Sequence, residues 1–347
     1  MAYSTISKSS SYFNTKLYTG NGSAGNAITG VGFQPDWVWI KNRNSATEHS
    51  IFDAIRGATY RIASNNTDAQ SAQAAELTAF GSDGFTTGNA GGTNGSGNGI
   101  VAWNWKANGS GSANSDGSIN STVSANTTSG FSIVKFVGSG GTATVGHGLG
   151  VAPKMIIIKY YGGSASWGVY HQSLGNTKAM FLDLDATDGT SNDYWNSTSP
   201  TSSVFTVNTF SGFNYNGGNM VAYCFAEKNG FSKFGTYTGN GEPNNDNPFI
   251  YTGFKPSFVM LKVTNTTDSW NMYDNRRLGY NGTGGRLRAN TNNAEDTGTD
   301  YQTCDFYANG FSPKGNDTTS NGNGRPYIYM AFGQPIVSTN GDIATAR

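Results

Sequence analysis

The side chains best suited to nucleophilic or metal chemistry are few and scattered. The chain has three histidines, His49, His147 and His171, and two cysteines, Cys224 and Cys304. Nucleophilic catalysis needs a base beside the nucleophile and a third group that orients the base. A structural zinc site needs closely spaced Cys and His ligands. Neither pattern occurs, so we expect structural or surface histidines and two free, mostly buried thiols; a single disulfide is the alternative.

The densest acidic stretch contains Asp183, Asp185 and Asp188. Strand alternation would place Asp183 and Asp185 on one face, entering a turn at Asp188-Gly189. Three interpretations stand side by side: a solvated strand face, a calcium site without EF-hand spacing, and a carboxylate pair for glycan hydrolysis. We expect the solvated face, and no cofactor.

Aromatic side chains that could stack on sugar rings are the remaining candidates. Most of the seven tryptophans lie in repeated strands, where core packing is expected. Trp195 differs because it lies in the polar segment Asp193–Ser197, next to Tyr194. These two residues are therefore the sequence candidates for an exposed glycan contact. The glycines of 138–141 precede a strand rather than a helix, so a hairpin loop is expected there instead of a phosphate cradle.

Composition favours a folded, β-rich chain. The 347 residues include 48 glycines, 13% aromatic and 13% charged residues, with a net charge of zero. Abundant aromatics separate it from disordered chains, and the lack of a basic surplus argues against nucleic-acid binding. No apolar run approaches the ~20 residues of a membrane-spanning helix. The first residues lack the apolar segment of a signal peptide.

An internal repeat with a period of roughly 100–120 residues organises the chain. The landmarks are an aromatic strand ending in glycine (Lys16–Gly22, Val134–Gly140, Gly235–Gly241), a proline-led strand with lysine six residues after the proline (Phe33–Lys41, Val151–Lys159, Phe254–Lys262), a Gly-Phe step (Ser82–Phe85, Phe210–Phe213, Ala308–Phe311) and a closing strand (Ile100–Lys106, Met220–Ala226, Tyr327–Phe332). A further match joins His49–Gly57, Trp167–Gly175 and Trp270–Gly279. Their constant order indicates a triplicated module.

These landmarks predict an all-β fold of three tandem, diverged β-sandwich or jelly-roll-like modules with little helix. Module one covers residues 1–107, a Ser/Gly/Asn-rich linker 108–129, module two 130–228, and module three 229–347 with a C-terminal tail. The long polar linker predicts a looser connection between modules one and two than between two and three. Only Ala69–Leu77 has helical propensity, over about two turns.

At these landmarks the chain resembles a repeat in structural proteins of tailed bacteriophages, particularly marine ones. The residues that carry the resemblance are Tyr18–Gly22, Gly32–Arg43, Phe52–Gly57, Ser82–Phe85 and Val101–Lys106, together with the closing Ile343–Arg347. The match is close over module one, fair over module three and degenerate over module two. Together the three matches cover most of the chain.

The resemblance implies a non-enzymatic virion protein exposed on the particle, as a tail fibre, tail appendage or capsid decoration. Synthesis in the host cytoplasm and release by lysis are expected. The expected partners are other virion proteins, further copies of the chain (a trimer first) and a host surface glycan, bound multivalently. One alternative is a secreted lectin-like carbohydrate-binding protein. Another is a glycan-degrading tail enzyme, which needs two carboxyl groups about 5–9.5 Å apart.

Overall fold

The three modules predicted from the sequence are visible in a computed structural model. It describes residues 4–242, 246–277, 281, 285–297 and 304–337. Within these residues the sheets are antiparallel and every helix is a single turn. The predicted all-β fold of three diverged modules is therefore confirmed. The phage-like ending Ile343–Arg347 lies outside the described residues.

The elements of the three modules follow one another along the chain. Module one contains a 3₁₀ turn (Ser9–Ser11), β1 (Phe13–Thr19), β2 (Asn26–Thr29), β3 (Trp37–Asn42), β4 (Ser50–Asp53), β5 (Gly57–Ile62), β6 (Ser71–Ala72), β7 (Leu77–Gly81), β8 (Gly84–Thr87), α1 (Gly91–Asn94) and β9 (Gly99–Trp105). Module two contains β10 (Ser112–Asn114), β11 (Ser121–Asn126), β12 (Phe131–Val137), β13 (Ala143–Gly146), β14 (Met155–Tyr160), β15 (Gly168–His171), β16 (Lys178–Phe181), β17 (Gly189–Thr190), α2 (Asn192–Trp195), β18 (Val204–Val207), α3 (Ser211–Asn214) and β19 (Asn219–Phe225). Module three contains β20 (Ser232–Thr238), β21 (Ile250–Tyr251), β22 (Phe254–Val263), β23 (Asn271–Asp274), β24 (Leu287–Arg288), β25 (Cys304–Tyr307), β26 (Gly310–Pro313) and β27 (Pro326–Pro335).

One strand order recurs in all three modules. The large sheets run β1-β9-β3-β4-β5-β6, β10-β11-β12-β19-β14-β15-β16-β17 and β20-β27-β22-β23-β24. The small sheets are β2-β8-β7, β13-β18 and β21-β26-β25. In each module the aromatic strand that ends in glycine (β1, β12 or β20) pairs with the closing strand (β9, β19 or β27), which pairs with the proline-led strand (β3, β14 or β22). This shared register makes residues comparable position by position.

Both faces of each large sheet are buried. In β9, Val101, Trp103 and Trp105 belong to a central core, whereas Ile100 and Ala102 belong to a core shared with the small sheet of module one. The central core receives side chains from all three large sheets, including Trp37, Tyr223, Phe258 and Phe332. Strands buried on both faces read as continuous apolar runs, which explains the sequence of β3.

The segment 108–129 is not a free linker. It contributes β10 and β11 to the large sheet of module two, and β11 pairs with β12 from Ser121 to Asn126. Its start is also anchored, because the Asn108 N–H donates to Ser124 Oγ at 2.8 Å. Since modules one and two share the central core, the looser connection expected from composition is not observed.

Two local expectations are wrong. In the first, pairing with a neighbouring strand overrides local helical propensity. The segment 69–77 forms no helix: β6 pairs with β5, and the Gln73 N–H donates to the Thr59 carbonyl at 2.7 Å. The Gly-Phe step at Phe210–Phe213 lies in and around α3. Phe205 of β18 occupies the small-sheet position held by Phe85 and Phe311.

Candidate functional site

Polar contacts in the central core join the modules in pairs. In each contact, a residue on the closing strand of one module meets a residue on the strand that follows the proline-led strand of another. Trp103 Nε1 of module one donates to Asp274 Oδ2 of module three at 3.0 Å. The Tyr223 hydroxyl of module two donates to Asp53 Oδ2 of module one at 2.8 Å. Asp53 and Asp274 are equivalent, opposite Trp37 and Phe258 in their registers. The two contacts therefore repeat one junction geometry.

Each junction aspartate is held in a buried ion pair. Arg56 Nε lies 2.5 Å from Asp53, and Arg277 Nε lies 2.6 Å from Asp274. All four side chains are at most 1% exposed. Burial opposes the charge on each arginine, but the adjacent aspartate together with Tyr223 at Arg56, or with Glu295 at Arg277, outweighs it, and the pKa of both guanidinium groups is raised. Because a buried charge is costly without its partner, each pair is a structural unit.

The third junction contains a neutral histidine. His171 occupies the position of the junction aspartates, and its Nε2 lies 3.1 Å from the Tyr329 carbonyl oxygen of module three. The Ser173 N–H donates to His171 Nδ1 at 3.2 Å, so the proton is on Nε2. Burial lowers the pKa of His171 to about 4. This histidine is a structural hydrogen-bond donor.

A second set of contacts joins the same pairs of modules. Trp167 Nε1 donates to the Ala63 carbonyl and Trp270 Nε1 to the Phe181 carbonyl, each at 2.9 Å. His49 holds the equivalent position in module one. Its Nε2 lies 3.0 Å from the Arg288 carbonyl, and Trp39 Nε1 donates to its Nδ1 at 2.8 Å. Burial and then Lys41 lower the pKa of His49 to about 3.

The remaining histidine and the thiols are also internal. His147 accepts from the Leu149 N–H at Nδ1, at 3.2 Å, and burial lowers its pKa. Cys224 is buried and Cys304 is partly buried, and both are free, as expected. Burial raises the pKa of both thiols. A protonated, enclosed thiol is a poor nucleophile.

The lysine found six residues after the proline of each proline-led strand is buried beneath loops and donates to loop carbonyl oxygens. Lys41, Lys159 and Lys262 are fully buried. Lys159 Nζ donates to the Thr67 carbonyl of module one at 2.8 Å, and Lys262 Nζ to the Asp185 carbonyl of module two at 3.2 Å. Burial lowers the pKa of each ammonium group to about 8. The lysine found six residues after each proline thus serves loop packing.

The acidic stretch is not a strand face, because residues 182–183 form a turn. Asp183 Oδ1 accepts the Trp167 N–H at 2.8 Å, and Asp188 pairs with Lys178 Nζ at 2.9 Å. Asp185 is exposed. No group of three or more potential metal-ligating His, Cys, Asp or Glu side chains occurs within the described ranges. The three carboxylates therefore have separate surroundings rather than a common site.

Asp183 performs a task that asparagine performs in the other modules. Asn65 Oδ1 accepts the His49 N–H at 2.9 Å, and Asn290 Oδ1 accepts the Trp270 N–H at 3.0 Å. Burial is the main cause that raises the pKa of Asp183. Its carboxyl group replaces a neutral amide in a structural hydrogen bond.

Trp195 is not an exposed contact. The indole is 1% exposed, stacks on Phe213 with ring centroids 4.9 Å apart, and donates from Nε1 to the Lys178 carbonyl at 2.9 Å. Tyr194 is half-buried and packs on Phe213 and Phe210. The polar residues around Trp195 concealed a core position, because α2 turns the indole inward.

Module two does present another pair of aromatic rings. Tyr160 and Tyr215 stack in parallel, with centroids 4.6 Å apart and an interplanar angle of 4°. Tyr160 lies on glycine backbone, since a Cβ at Gly162 or Gly163 would lie 2.9 or 2.6 Å from its ring. Tyr215 covers it and is 46% exposed. We name these two residues the tyrosine platform.

A cleft of about 220 Å³, lined by both polar and apolar groups, lies at the same end of the module-two sheet as the tyrosine platform. We name it the amide cleft; it is lined by Asn120, Ser121, Thr122, Lys135, Phe136, Val137 and Asn219. Gly162 lies near both features, since its Cβ position would be 2.9 Å from the Tyr160 ring and 3.5 Å from the backbone nitrogen of Asn219. The two features lie on opposite faces of the sheet, because Tyr160 is paired with Met220 of the module-two core whereas Lys135 is paired with Val221 of the central core.

A family model for a domain of unknown function, DUF7483, matches residues 8–335. The chain belongs to the DUF7483 family. The matched range extends from the 3₁₀ turn to the end of β27, so the family unit comprises all three modules rather than one. No curated protein matches the chain. Among the described residues of this DUF7483 chain, no helix is long and apolar enough to cross a membrane.

Sequence reasoning missed a buried asparagine in each DUF7483 module. Asn94, Asn214 and Asn321 are fully buried. Each accepts a backbone N–H from the loop after the first strand, at 2.8–3.0 Å, and donates back to backbone carbonyls. We call these three residues the clamp asparagines. Each stands five residues before the start of a closing strand and four before a residue whose carbonyl accepts from the loop glycine, and this constant spacing is the signal that could have revealed them.

Proposed function

We propose that this DUF7483 chain is a non-enzymatic structural protein exposed on a bacteriophage particle, as a tail fibre, tail appendage or capsid decoration. The phage resemblance of module one supports the location. The observation that carries the structural role is the ring of contacts around one central core, in which each module is bonded to both others. Close-packed cores resist deformation, so the chain acts as one rigid body.

The distribution of reactive groups supports a non-enzymatic role. His49, His147 and His171 are each fully buried and hold structural hydrogen bonds. The thiol of Cys224 is enclosed as well. A general base must reach the proton that it abstracts, and these side chains face the protein interior.

The internal threefold arrangement fits assembly with symmetric partners. Three equivalent sheets around one core give the chain three similar outer sides, on a surface of low charge. Other virion proteins and further copies of the chain, first as a trimer, are the proposed partners. Many copies on one particle would raise the effective concentration of weak contacts.

Particle labelling tests this function directly. Phage particles purified by density gradient would be labelled with an antibody raised against the whole chain, with antibodies against an internal protein and the major capsid protein as controls. We expect label at one defined place on intact particles. Absence of the chain from purified particles by mass spectrometry would reject the proposal.

A lectin-like role is the second candidate. The observation that favours it is the exposed ring of Tyr215, which is stacked on Tyr160 without being covered by the described residues. Binding of soluble glycans by the isolated chain would support this role whether or not the chain is displayed on a particle.

A further inference from the structure

Exposed aromatic rings cluster on the outer face of the small sheet of module three. Tyr251 on β21 and Tyr307 on β25 are both paired with Gly310 of β26, so the two side chains lie on the same face of the sheet. Phe311, the next residue of β26, is buried in the core of module three, so the shared face is directed outward. The Phe249 ring lies over Gly310 on this face, where a Cβ would be 2.7 Å from it. We name Phe249, Tyr251 and Tyr307 the aromatic cluster.

The aromatic cluster is ordered by ring contact but is only partly buried. The rings of Phe249 and Tyr307 meet nearly edge to face, with centroids 5.8 Å apart and an interplanar angle of 63°. Phe249 is 51% exposed and Tyr251 is 54% exposed. An aromatic side chain gains stability by leaving water, and these two side chains forgo about half of that gain. Contiguous exposed apolar side chains are typical of contact surfaces.

Formation of the small sheet does not require these aromatic residues. Thr29 and Gly81 hold the positions of Tyr251 and Tyr307 in module one, by strand register. Gly146 holds the position of Tyr251 in module two. Because the other modules form the corresponding strand pairs with small residues at these positions, the fold alone does not explain the aromatic cluster.

Polar side chains lie on the same face of the sheet. Asp305 precedes Tyr307 by two residues in β25, and side chains two residues apart in a strand share a face. The Tyr307 hydroxyl donates to Asp305 Oδ2 at 3.3 Å, and Lys314 Nζ lies 3.1 Å from the same oxygen. The side chains of Asp305 and Lys314 are 15% and 25% exposed. Because their charges cancel, this part of the surface offers hydrogen-bond acceptors and donors without net charge.

The size of the aromatic cluster indicates a small ligand. An aromatic side chain carries about 150–250 Å² of surface, so two half-exposed rings and the partly exposed Tyr307 offer on the order of 300 Å². A stable protein interface takes about 800 Å² from each partner. The aromatic cluster is therefore too small to hold a second copy of the chain by itself.

We propose that the aromatic cluster and the Asp305–Lys314 pair form one site for a neutral oligosaccharide; this site rests on the lectin-like role proposed above and locates it in module three. A sugar presents an apolar ring face and a rim of hydroxyl groups. The exposed Tyr251 ring contacts the ring face, while Asp305 accepts from one hydroxyl group and Lys314 donates to another. Strands lie about 4.8 Å apart, so Tyr251 and Asp305, on either side of β26, are separated by roughly 10 Å or more. A ligand that contacts both needs more than one sugar unit.

The full-length purified chain tests this site on an array of neutral and acidic oligosaccharides, with affinities measured by calorimetry. Tyr251→Thr and Asp305→Ala are the test variants, because Thr29 and Ala79 hold these positions in module one. We expect neutral oligosaccharides to bind, and Tyr251→Thr to weaken their binding at least about tenfold, a change of about 1.4 kcal/mol. Asp305→Ala removes a hydrogen-bond acceptor and should weaken binding about threefold or more.

Tyr60→Ala is the matched control, because Tyr60 is a 40% exposed tyrosine on β5 of module one. It should bind as the unaltered chain does, and the thermal unfolding of all variants should show that each is folded. Binding restricted to acidic oligosaccharides, or binding that Tyr251→Thr leaves unchanged, would overturn the site in module three but not the lectin-like role. Weakening by Tyr215→Ala alone would place that role at the tyrosine platform instead. Absence of binding to every oligosaccharide would overturn both, and it would not bear on particle location.

Discussion

The junctions built on Asp53 and Asp274 differ from the junction built on His171, although all three residues occupy one position of the repeated sheet. The aspartates are paired with arginines three residues later, whereas Leu174 stands three residues after His171. Two junctions are thus buried and ionic, and the third is buried and neutral.

The partner residue explains this difference. Trp103 of module one donates to Asp274 of module three, and Tyr223 of module two donates to Asp53 of module one. The equivalent residue of module three is Met330, opposite Met260 in register, which has no N–H or O–H donor. An aspartate at position 171 would lack a donor from it. His171 instead donates to the carbonyl of Tyr329, the residue before Met330. In this junction the acceptor lies on the closing strand, whereas in the other two junctions the donor lies there.

Breaking an ionic junction should have the largest effect. Asp53→Ala leaves Arg56 buried without its partner and removes the acceptor of the Tyr223 hydroxyl. We expect a loss of about 3–5 kcal/mol in the free energy of unfolding, measured by urea denaturation. Asp185→Ala, at an exposed side chain, is the control and should change stability by no more than about 0.5 kcal/mol. Similar stability of both variants would contradict the structural role of the pair.

Replacing the ionic junction of module one with the residue types of the neutral junction tests whether the two kinds of junction are interchangeable. The double variant Asp53→His with Arg56→Leu removes both buried charges at once and copies the His171 and Leu174 pattern. Replacing a whole buried ion pair costs far less than breaking it. We therefore expect the double variant to recover at least half of the stability lost in Asp53→Ala. Equal instability of the two variants would show that the junctions are not interchangeable.

Removing the neutral junction should cost less. His171→Leu leaves the Tyr329 carbonyl without its side-chain donor, and we expect a loss of about 1–3 kcal/mol at pH 7. The pKa of His171 is lowered to about 4, so the unfolded chain binds the extra proton first and stability falls as pH drops from about 6.5 toward 4. The variant should show a smaller fall over this range. An unchanged slope would contradict the assignment of a buried neutral imidazole.

The smallest expected effect is a gain at Asp183. Asp183→Asn copies Asn290, whose amide donates to Ser269 Oγ at 3.4 Å, while Asp183 has Ser166 at the equivalent place. Because the pKa of Asp183 is raised, its carboxyl group favours folding when protonated, and this stability is lost as pH rises. The variant should be more stable at pH 7, by on the order of 1 kcal/mol, the usual size of a single stabilising substitution. The gain should vanish near pH 4, and a loss at pH 7 would refute this assignment.

Strand landmarks were predictable because period and turn chemistry are local. The glycine-ended first strands, proline-led strands and closing strands all form where the sequence indicates. The internal histidines and free thiols also agree with the sequence analysis. The Gly-Phe step of module two failed because Phe205, rather than Phe213, holds the small-sheet position.

Candidate contact residues were less predictable, because exposure depends on residues distant in sequence. Trp195 lies in a polar segment and is nevertheless buried against Phe213. Tyr215 lies among glycines and asparagines as well, yet its ring remains exposed. Composition around these two aromatics is similar, and only the packing of α2 and α3 separates them.

The amino-acid sequence by itself determined the β-rich class, the triplication and the strands of each module, since these depend on short-range patterns of apolar, turn and proline residues. Only the tertiary structure decided that the three sheets share one core, because a buried second face cannot be distinguished by strand alternation. It also decided which partner each junction residue meets. Those contacts join residues 158–171 positions apart, at a separation over which the sequence carries no local signal.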